Sequence, residues 1–331
     1  INNQSFSIAE NAPNGAIVET VLASDNDADQ TKTFSIISGN LNNAFAINSA
    51  TGVLSVINST ALNFETNPTF SLIVKVQDNG IGNLSSQATI TILVGDVNEV
   101  PVISNQSFLI AENSAAGTVV GTTIATDPDA GQSKIFSILS GNTNNTFAIN
   151  SSSGIISVVN PAGLDFELNP MFNITVKVED NGPGFLSNQA TISISVKDVN
   201  EAPVIADQTF SVPENSVSGT LVGNIVATDN DALQAKSFSI VSGNTNNAFT
   251  INSTTGALSV ASSTALNFEV QPSYVLKIKV QDNGAGSLSS QANITVILTD
   301  VNEPPVMDNQ VISVSKNSKP GTSLGYLKAS D

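Results

Sequence analysis

The sequence predicts an all-β protein made of tandem Greek-key β-sandwiches. Two observations carry this prediction: motifs that recur at a constant interval, and short strand patterns separated by turn residues inside each copy. Glu10-Asn11 returns 102 residues later as Glu112-Asn113 and again as Glu214-Asn215, and Lys316-Asn317 continues the series. An interval kept without insertion indicates one fold copied in tandem, so the 331 residues hold three whole repeats and the start of a fourth.

Each repeat closes on the run Asp-Val-Asn-Glu, which sets the predicted boundaries. We expect a first repeat at 1–99, a second at 100–201, a third at 202–303 and a partial fourth at 304–331. A repeat of this length can own a hydrophobic core. The pattern is interrupted at both ends: we expect another repeat before Ile1, and Asp331 is read as the first member of an Asp-x-Asp pair.

The first repeat contains seven short strand-like stretches, of which 6–8, 70–76 and 88–94 alternate apolar with polar residues and 16–23 is rich in β-branched residues. These predicted strands, in order, are 6–8, 16–23, 33–38, 45–47, 53–56, 70–76 and 88–94. Thr51-Gly52 and Asp78-Asn79-Gly80 supply turns, and Ser59–Leu62 is expected to form one helical turn. Seven short strands in about 100 residues are typical of an immunoglobulin-like sandwich.

Recurring aromatic residues are predicted to fill the core. The positions in the first repeat that recur at the same interval are Phe6, Phe34, Phe45, Phe64 and Phe70. Tyr274 replaces the last of them in the third repeat. Because aromatic side chains on strands bury large apolar areas, we interpret this set as core. Phe185, in the loop Gly182-Pro183-Gly184-Phe185, is the one aromatic residue interpreted as a candidate surface contact.

The composition excludes several classes of function. The chain has 28 acidic residues against 11 lysines, no arginine and a formal charge of −17. It lacks cysteine, histidine and tryptophan. Disulfides, Cys or His metal sites and His-dependent catalysis are therefore excluded, and so strong a negative charge would repel nucleic acid. No apolar run is long enough to span a bilayer.

The acidic residues recur at positions that a sandwich places at its two ends. At the first junction the predicted metal ligands are Glu10, Glu65, Asp96, Asn98, Glu99, Asp127, Asp129 and Asp180. At the second junction they are Glu112, Asp165, Glu167, Asp198, Asn200, Glu201, Asp229, Asp231 and Asp282. At the end of the third repeat they are Glu214, Glu269, Asp300, Asn302 and Glu303.

Carboxylates at this density repel one another unless a cation lies among them. None of the lysines belongs to these motifs. A hard divalent cation with six to eight oxygen ligands fits the residue types, and calcium is favoured because magnesium demands a tighter octahedron. The sequence therefore predicts Ca²⁺ at the junctions.

The repeats resemble the cadherin family. Ala-Glu-Asn at 9–11, Leu164-Asp165-Phe166-Glu167 and the linker Asp198-Val199-Asn200-Glu201-Ala202-Pro203 match that family's motifs, as do the Asp229/Asp231 pair and Asp282. The resemblance implies about three calcium ions per complete junction, which stiffen the array. Asn63 and Asn267 replace the aspartate that Asp165 retains, so we expect the first junction to hold its outermost ion less tightly than the second.

Two functions stay open at this point, and a third is disfavoured. The chain is expected to be a stiff extracellular spacer of a cell-surface adhesion protein, or else a direct adhesion module that binds a glycan or another repeat array. Catalysis is disfavoured because the same acids recur in each repeat as predicted ligands. Abundant Asn with no Cys or Arg resembles bacterial surface adhesins in style. Strand exchange anchored by tryptophan is excluded for this segment.

Overall fold

The computed structural model describes residues 1–27, 29–231 and 233–330. It divides into two compact units, Ile1–Lys197 and Asp198–Asp331. The first unit holds the first two repeats, and the second unit holds the third repeat with the segment that follows it. The predicted aspartate pair at Asp331 lies outside the described residues.

The first repeat has the seven predicted strands. They are β1 (Gln4–Ala9), β2 (Ile17–Thr20), β3 (Lys32–Ser38), β4 (Phe45–Ile47), β5 (Val53–Val56), β6 (Thr69–Asp78) and β7 (Ser85–Gly95). One sheet has the order β1-β7-β6-β3 and the other β2-β5-β4. The pair β1–β7 is parallel, whereas the remaining pairs are antiparallel. The second strand is shorter than predicted.

The second and third repeats keep this arrangement and each adds a short two-stranded pair. The second repeat contains β8 (Val102–Ile103), β9 (Gln106–Ala111), β10 (Val119–Thr122), β11 (Ala125–Thr126), β12 (Ile135–Ser140), β13 (Phe147–Ile149), β14 (Ile155–Val158), β15 (Met171–Glu179) and β16 (Ser187–Lys197). The third contains β17 (Val204–Ile205), β18 (Gln208–Pro213), β19 (Leu221–Asn224), β20 (Ala227–Thr228), β21 (Ser237–Ser242), β22 (Phe249–Ile251), β23 (Ala257–Val260), β24 (Ser273–Gln281) and β25 (Ser289–Thr299). The added pairs are β8–β11 and β17–β20.

Short 3-10 turns are the helical elements of the described chain. They are Leu41–Asn43, Ser59–Ala61, Thr143–Asn145, Pro161–Gly163, Thr245–Asn247 and Ser263–Ala265. The helical turn predicted at 59–62 is therefore a 3-10 turn.

Each sandwich has its own core, built where the inward faces of the two sheets meet. Phe45 and Phe70 lie edge-to-face in the first repeat with ring centroids 5.1 Å apart. Phe249 and Tyr274 repeat this contact at 5.1 Å in the third. Such pairs stabilise a core beyond the area they bury. The prediction that recurring aromatics are core residues is confirmed for these positions.

Beyond the third repeat, the described residues 304–330 form a single antiparallel bridge between Val306 and Ser330. All of these residues are exposed, whereas Glu303, just before them, is partly buried. Too few strands are present here to enclose a core.

Candidate metal centre

Glu10 anchors the first candidate centre. It directly follows β1, and only 2% of its surface is exposed. Its Oε2 accepts a hydrogen bond from the backbone N–H of Phe64 at 2.9 Å, and its Oε1 accepts one from Val97 at 2.8 Å. The carboxylate therefore ties together the end of β1, the segment before β6 and the linker after β7.

Glu65 belongs to two groups of three carboxylates, and one of these groups also contains Glu10. One oxygen each of Glu10, Glu65 and Asp96 lie within 4.8 Å of one another. The same limit holds for Glu65, Glu99 and Asp129. Because Asp129 belongs to the second repeat, the second group joins carboxylates of both repeats in the first unit.

The second repeat presents its acids on loops at the end that faces the linker. Asp129 is 5% exposed, and its Oδ2 accepts a hydrogen bond from the Glu99 backbone N–H at 2.8 Å. Its own backbone N–H donates to Asp127 Oδ1 at 3.2 Å. Asp180 is fully buried, and its Oδ2 accepts a hydrogen bond from Asn98 Nδ2 at 3.1 Å. Each of the eight residues predicted for the first junction takes part in one of these hydrogen bonds or carboxylate groups.

The electrostatics of the first centre disfavour the ionised form of several acids. Desolvation raises the pKa of Glu65, and neighbouring carboxylates raise it further. The pKa of Asp96 is also raised, first by desolvation and then by the charges of Asp129 and Glu10. Desolvation likewise raises the pKa of Asp127, although Lys134 and a backbone N–H oppose the shift. A cation at this place would relieve the repulsion.

The donor set fits a hard divalent cation. Glu99 Oε2, Asp127 Oδ2 and Asp129 Oδ1 are buried and have no hydrogen-bond partner among the described residues. Among the described residues, the salt bridge between Lys177 and Glu179, at 2.5 Å, involves none of these three acids. Buried polar atoms without partners are costly, and oxygen-rich carboxylate sites suit Ca²⁺.

The end of the third repeat repeats the first group. Glu214 is 2% exposed and accepts hydrogen bonds from the backbone N–H groups of Phe268 at 2.7 Å and Val301 at 3.0 Å. These two hydrogen bonds lower the pKa of Glu214. One oxygen each of Glu214, Glu269 and Asp300 lie within 4.8 Å of one another.

The other two ligands predicted for this end, Asn302 and Glu303, are not part of this group of three carboxylates. Glu303 Oε1 accepts a hydrogen bond from Asn215 Nδ2 at 2.6 Å. Asn302 is exposed. Both follow the group around Glu214 along the chain.

Several ligands predicted for the second junction take part in hydrogen bonds within their own unit. In the first unit, Glu112 Oε2 accepts a hydrogen bond from Phe166 N–H at 2.8 Å, and Asp165 Oδ1 accepts one from Leu168 N–H at 2.8 Å. Glu167 is exposed in the same unit. Calcium binding by this set stays a prediction.

In the second unit, Glu201 N–H donates to Asp231 Oδ2 at 2.9 Å, as Glu99 does to Asp129 in the first unit. Asp231 N–H donates to Asp229 Oδ1 at 3.3 Å. Asn200 Nδ2 donates to Asp282 Oδ2 at 3.4 Å, and Asp198 precedes these linker residues.

Sequence reasoning missed a glutamine beside the acids. Gln132 Nε2 donates a hydrogen bond to Asn98 Oδ1 at 2.6 Å. Gln30, Gln132 and Gln234 recur at the repeat interval, which is the signal that could have revealed them.

The fold and the carboxylate centre together define a class of protein: tandem β-sandwich repeats with clusters of carboxylates at their ends. The profile of the cadherin domain matches residues 4–95, 106–197 and 208–299. The chain therefore belongs to the cadherin family, as the sequence motifs predict.

Its relatives are long animal proteins. The chain is 31% identical to Cadherin EGF LAG seven-pass G-type receptor 2 of Mus musculus over 344 aligned residues, which cover 98% of this chain and 11% of that protein. It is 33% identical to Protocadherin-23 of Homo sapiens over 334 residues, covering 95% of this chain and 10% of the relative. The chain thus spans about a tenth of the length of these relatives.

Solved structures show the same fold. A cis-dimer structure of Protocadherin gammaB7 EC3-6 matches with a TM-score of 0.67 and 26% identity, covering 99% of this chain and 81% of that one. Mouse Cadherin-23 EC22-24 matches with a TM-score of 0.67 and 24% identity, covering 91% and 97% of the two chains.

Membership of this family settles several of the sequence predictions. Cadherin repeats are extracellular parts of cell-surface adhesion proteins, they generally bind Ca²⁺, and the family relatives are adhesion proteins, not enzymes. The relatives named above are animal proteins, and they do not support a bacterial-type adhesin. Within the described residues, no helix is long and apolar enough to cross a membrane.

Proposed function

We propose that this chain is a calcium-stiffened spacer within a cell-surface adhesion protein. The observation that carries the proposal is the set of buried carboxylate oxygens without hydrogen-bond partners on Glu99, Asp127 and Asp129. Glu99 lies in the linker that closes the first repeat, and Asp127 and Asp129 lie in the second repeat. A cation that binds all three residues would join the linker to the second repeat.

The proposed ligands of the first junction are those that the sequence predicts. They are Glu10, Glu65, Asp96, Asn98, Glu99, Asp127, Asp129 and Asp180. The family resemblance supports about three ions per complete junction. Bound calcium supplies positive charge to this set, and the protein residues supply the oxygens and hold the linker in place.

Calcium would stabilise the junction in which the two repeats are docked, because it binds that arrangement and not the undocked one. Ligand that binds only the docked junction stabilises it by about 2.7 kcal/mol per site when free calcium is 100 times the dissociation constant. Extracellular calcium modules bind at about 10⁻⁴–10⁻³ M. Extracellular calcium therefore suffices to occupy the sites, whereas chelation would release the linkers.

Small-angle X-ray scattering of the whole chain tests the spacer. We expect a single, fixed maximum dimension in calcium and a broad distribution in chelator. Magnesium at the same concentration is the control for ionic strength, and it should resemble the chelated sample. Scattering that is identical in calcium and chelator would contradict the proposal.

Direct adhesion is the second candidate. One solved relative, Protocadherin gammaB7, is described as a cis-dimer of repeats, which supports pairing between arrays. Sedimentation of the chain at rising concentration in calcium tests this candidate, since a self-pairing array would associate and a spacer would stay monomeric. Binding to a glycan array would instead support a glycan partner, for which Phe185 is the exposed aromatic candidate.

The proposal of a bacterial-type surface adhesin rests on composition alone. Absent cysteine and arginine together with abundant asparagine support it. Identifying the coding genome would test it directly.

A further inference from the structure

Each repeat carries an Asp-Asn-Gly turn. The three turns are Asp78-Asn79-Gly80, Asp180-Asn181-Gly182 and Asp282-Asn283-Gly284. Asparagine followed by glycine is especially prone to deamidation, because glycine has no side chain to hinder attack by its own backbone nitrogen on the asparagine side chain. Each turn is therefore a candidate site of spontaneous covalent modification.

Deamidation at the second turn would pass through a cyclic imide. The Gly182 backbone nitrogen gives up its proton and bonds to Asn181 Cγ, the Cγ–Nδ2 bond breaks, and Nδ2 leaves as ammonia with that proton. Water then opens the imide at one of its two carbonyl carbons and leaves aspartate or isoaspartate. Solvent supplies the water, and the reaction needs neither an oxidant nor a reductant.

In the folded chain both reacting groups are engaged by other partners. The Gly182 N–H donates to Asp180 Oδ1 at 3.0 Å, and Asn181 Oδ1 accepts a hydrogen bond from the Ser133 backbone N–H at 2.8 Å. An ionised carboxylate only accepts hydrogen bonds, and its charge disfavours a second negative charge on the glycine nitrogen. The contact with Ser133 restricts rotation of the asparagine side chain. Both contacts therefore oppose closure of the imide ring.

The Asp180 carboxylate is itself fixed from several sides. It is fully buried, and its Oδ1 also accepts a hydrogen bond from the Leu186 backbone N–H at 3.1 Å. Its Oδ2 accepts one from Asn98 Nδ2 at 3.1 Å. Because Asn98 belongs to the linker, the position of this carboxylate depends on the docked linker.

The same two contacts are present in the other repeats. In the third repeat, the Gly284 N–H donates to Asp282 Oδ1 at 2.9 Å, and Asn283 Oδ1 accepts from the Ala235 N–H at 2.8 Å. The first repeat has the equivalent hydrogen bonds at 3.0 and 2.8 Å. The restraint is therefore a property of the turn in every complete repeat.

The fold also requires the glycine that makes the pair reactive. A Cβ atom at Gly182 would overlap Asn98 Oδ1, and one at Gly284 would overlap Asn200 Oδ1. A bulkier residue, which would slow ring closure, would thus displace the linker asparagine. The reactive pair is kept for packing, and the aspartate before it restrains its chemistry.

We propose that Asn181 is a deamidation site that Asp180 keeps unreactive in the folded chain. Isoaspartate would add a methylene group to the backbone between Asp180 and Gly182, and either product would add a negative charge to an acidic cluster. The modified turn would not restore the contact with Asn98. Undocking of the linker would in this way become permanent.

The restraint by Asp180 rests on the hydrogen bonds described above, whereas its dependence on calcium rests on the proposed function. If calcium keeps the linker docked, Asn181 should deamidate faster in chelator than in calcium.

The test incubates the whole chain at mildly alkaline pH and follows each turn by peptide mapping with mass spectrometry. The variants are Asp180→Ala, which removes the acceptor, and Asp180→Asn, which keeps its size but removes the charge. Asp282→Asn is the matched control, because it changes the equivalent turn of the third repeat. Wild-type chain in urea gives the unrestrained rate, and hydrogen exchange of the β15 amides reports whether the second repeat stays folded.

We expect Asp180→Ala to speed deamidation of Asn181 by roughly ten- to a hundred-fold, the factor that corresponds to losing a hydrogen bond to a charged group. Asp180→Asn should have a smaller effect in the same direction. Asn283 should react at the wild-type rate in both variants. Asp282→Asn should reverse this pattern, with Asn283 accelerated and Asn181 unchanged.

Equal rates at Asn181 in the folded and the urea-unfolded wild type would overturn the inference. So would an unchanged rate in Asp180→Ala, or equal acceleration at Asn181 and Asn283. If Asp180→Ala loses hydrogen-exchange protection in β15, Asp180→Asn and the wild-type comparison decide. Equal rates at Asn181 in calcium and chelator would instead count against the proposed calcium function, so the two failures are distinguishable.

Discussion

Thr146 and Gly163 share one buried space in the second repeat. Thr146 is fully buried, and a Cβ atom placed at Gly163 would lie 2.0 Å from its Oγ1. The corresponding pairs are Ala44 with Ala61 and Ala248 with Ala265. The second repeat therefore has a threonine where the other repeats have alanine, and a glycine at the neighbouring position where they have a second alanine.

This pair predicts a destabilising variant and its rescue. Gly163→Ala should lower the free energy of unfolding by about 1–3 kcal/mol, because the new methyl group overpacks the space beside Thr146. Adding Thr146→Ala recreates the pair found in the other repeats and should restore most of the loss. Urea denaturation measures both values. A double variant as unstable as Gly163→Ala alone would contradict the shared-space interpretation.

Phe185 predicts a stabilising variant. Its φ is 48°, in the left-handed region, and its side chain is 66% exposed. Asn83 and Ser287 occupy the equivalent positions with similar φ values. Because asparagine tolerates this conformation better than a bulky aromatic, Phe185→Asn should raise the free energy of unfolding by about 1 kcal/mol.

The reciprocal variant Asn83→Phe is the matched control for Phe185, and it should lose a similar amount in thermal unfolding. If Phe185→Asn were instead destabilising, the exposed ring would have a packing role that its exposure does not indicate.

Asp129→Asn should change stability in opposite directions with and without calcium. In calcium it removes a carboxylate ligand, so the calcium-induced rise in unfolding temperature should shrink. In chelator it removes a charge that raises the pKa values of Glu65 and Asp96, so the metal-free protein should gain stability. Calorimetry in both buffers measures the two effects. Asp308→Asn, at an exposed acid outside the cluster, is the control and should change neither.

The metal-free protein should have its greatest stability at mildly acid pH. The raised pKa values of Glu65, Asp96 and Asp127 mean that the folded state binds more protons, so stability falls as pH rises through the range above ordinary carboxylate values. The lowered pKa of Glu214 has the opposite sign, since its contribution is lost as pH falls below that range. Thermal unfolding in chelator across pH should therefore pass through a maximum. A steady rise toward neutral pH would contradict this prediction.

Sequence periodicity predicts much of this molecule. The constant interval identifies the repeats, apolar and β-branched stretches between turn residues locate the seven strands, and the recurring acids mark the ends of the sandwiches. The strand predictions succeed because side-chain alternation in strands depends on residue type and spacing alone, whereas calcium ligation by the acids stays a prediction.

Other features depend on distances between residues far apart in the chain. The sequence alone does not show that Gln132 donates to Asn98, that Gly163 makes room for Thr146, or that Phe185 adopts a left-handed backbone. It also overestimates the length of the second strand. Amide orientation, packing of adjacent side chains and backbone dihedral angles arise from contacts made only when the chain folds. The sequence by itself therefore determined the kind of site and its residue types, whereas the tertiary structure decided which atoms meet there.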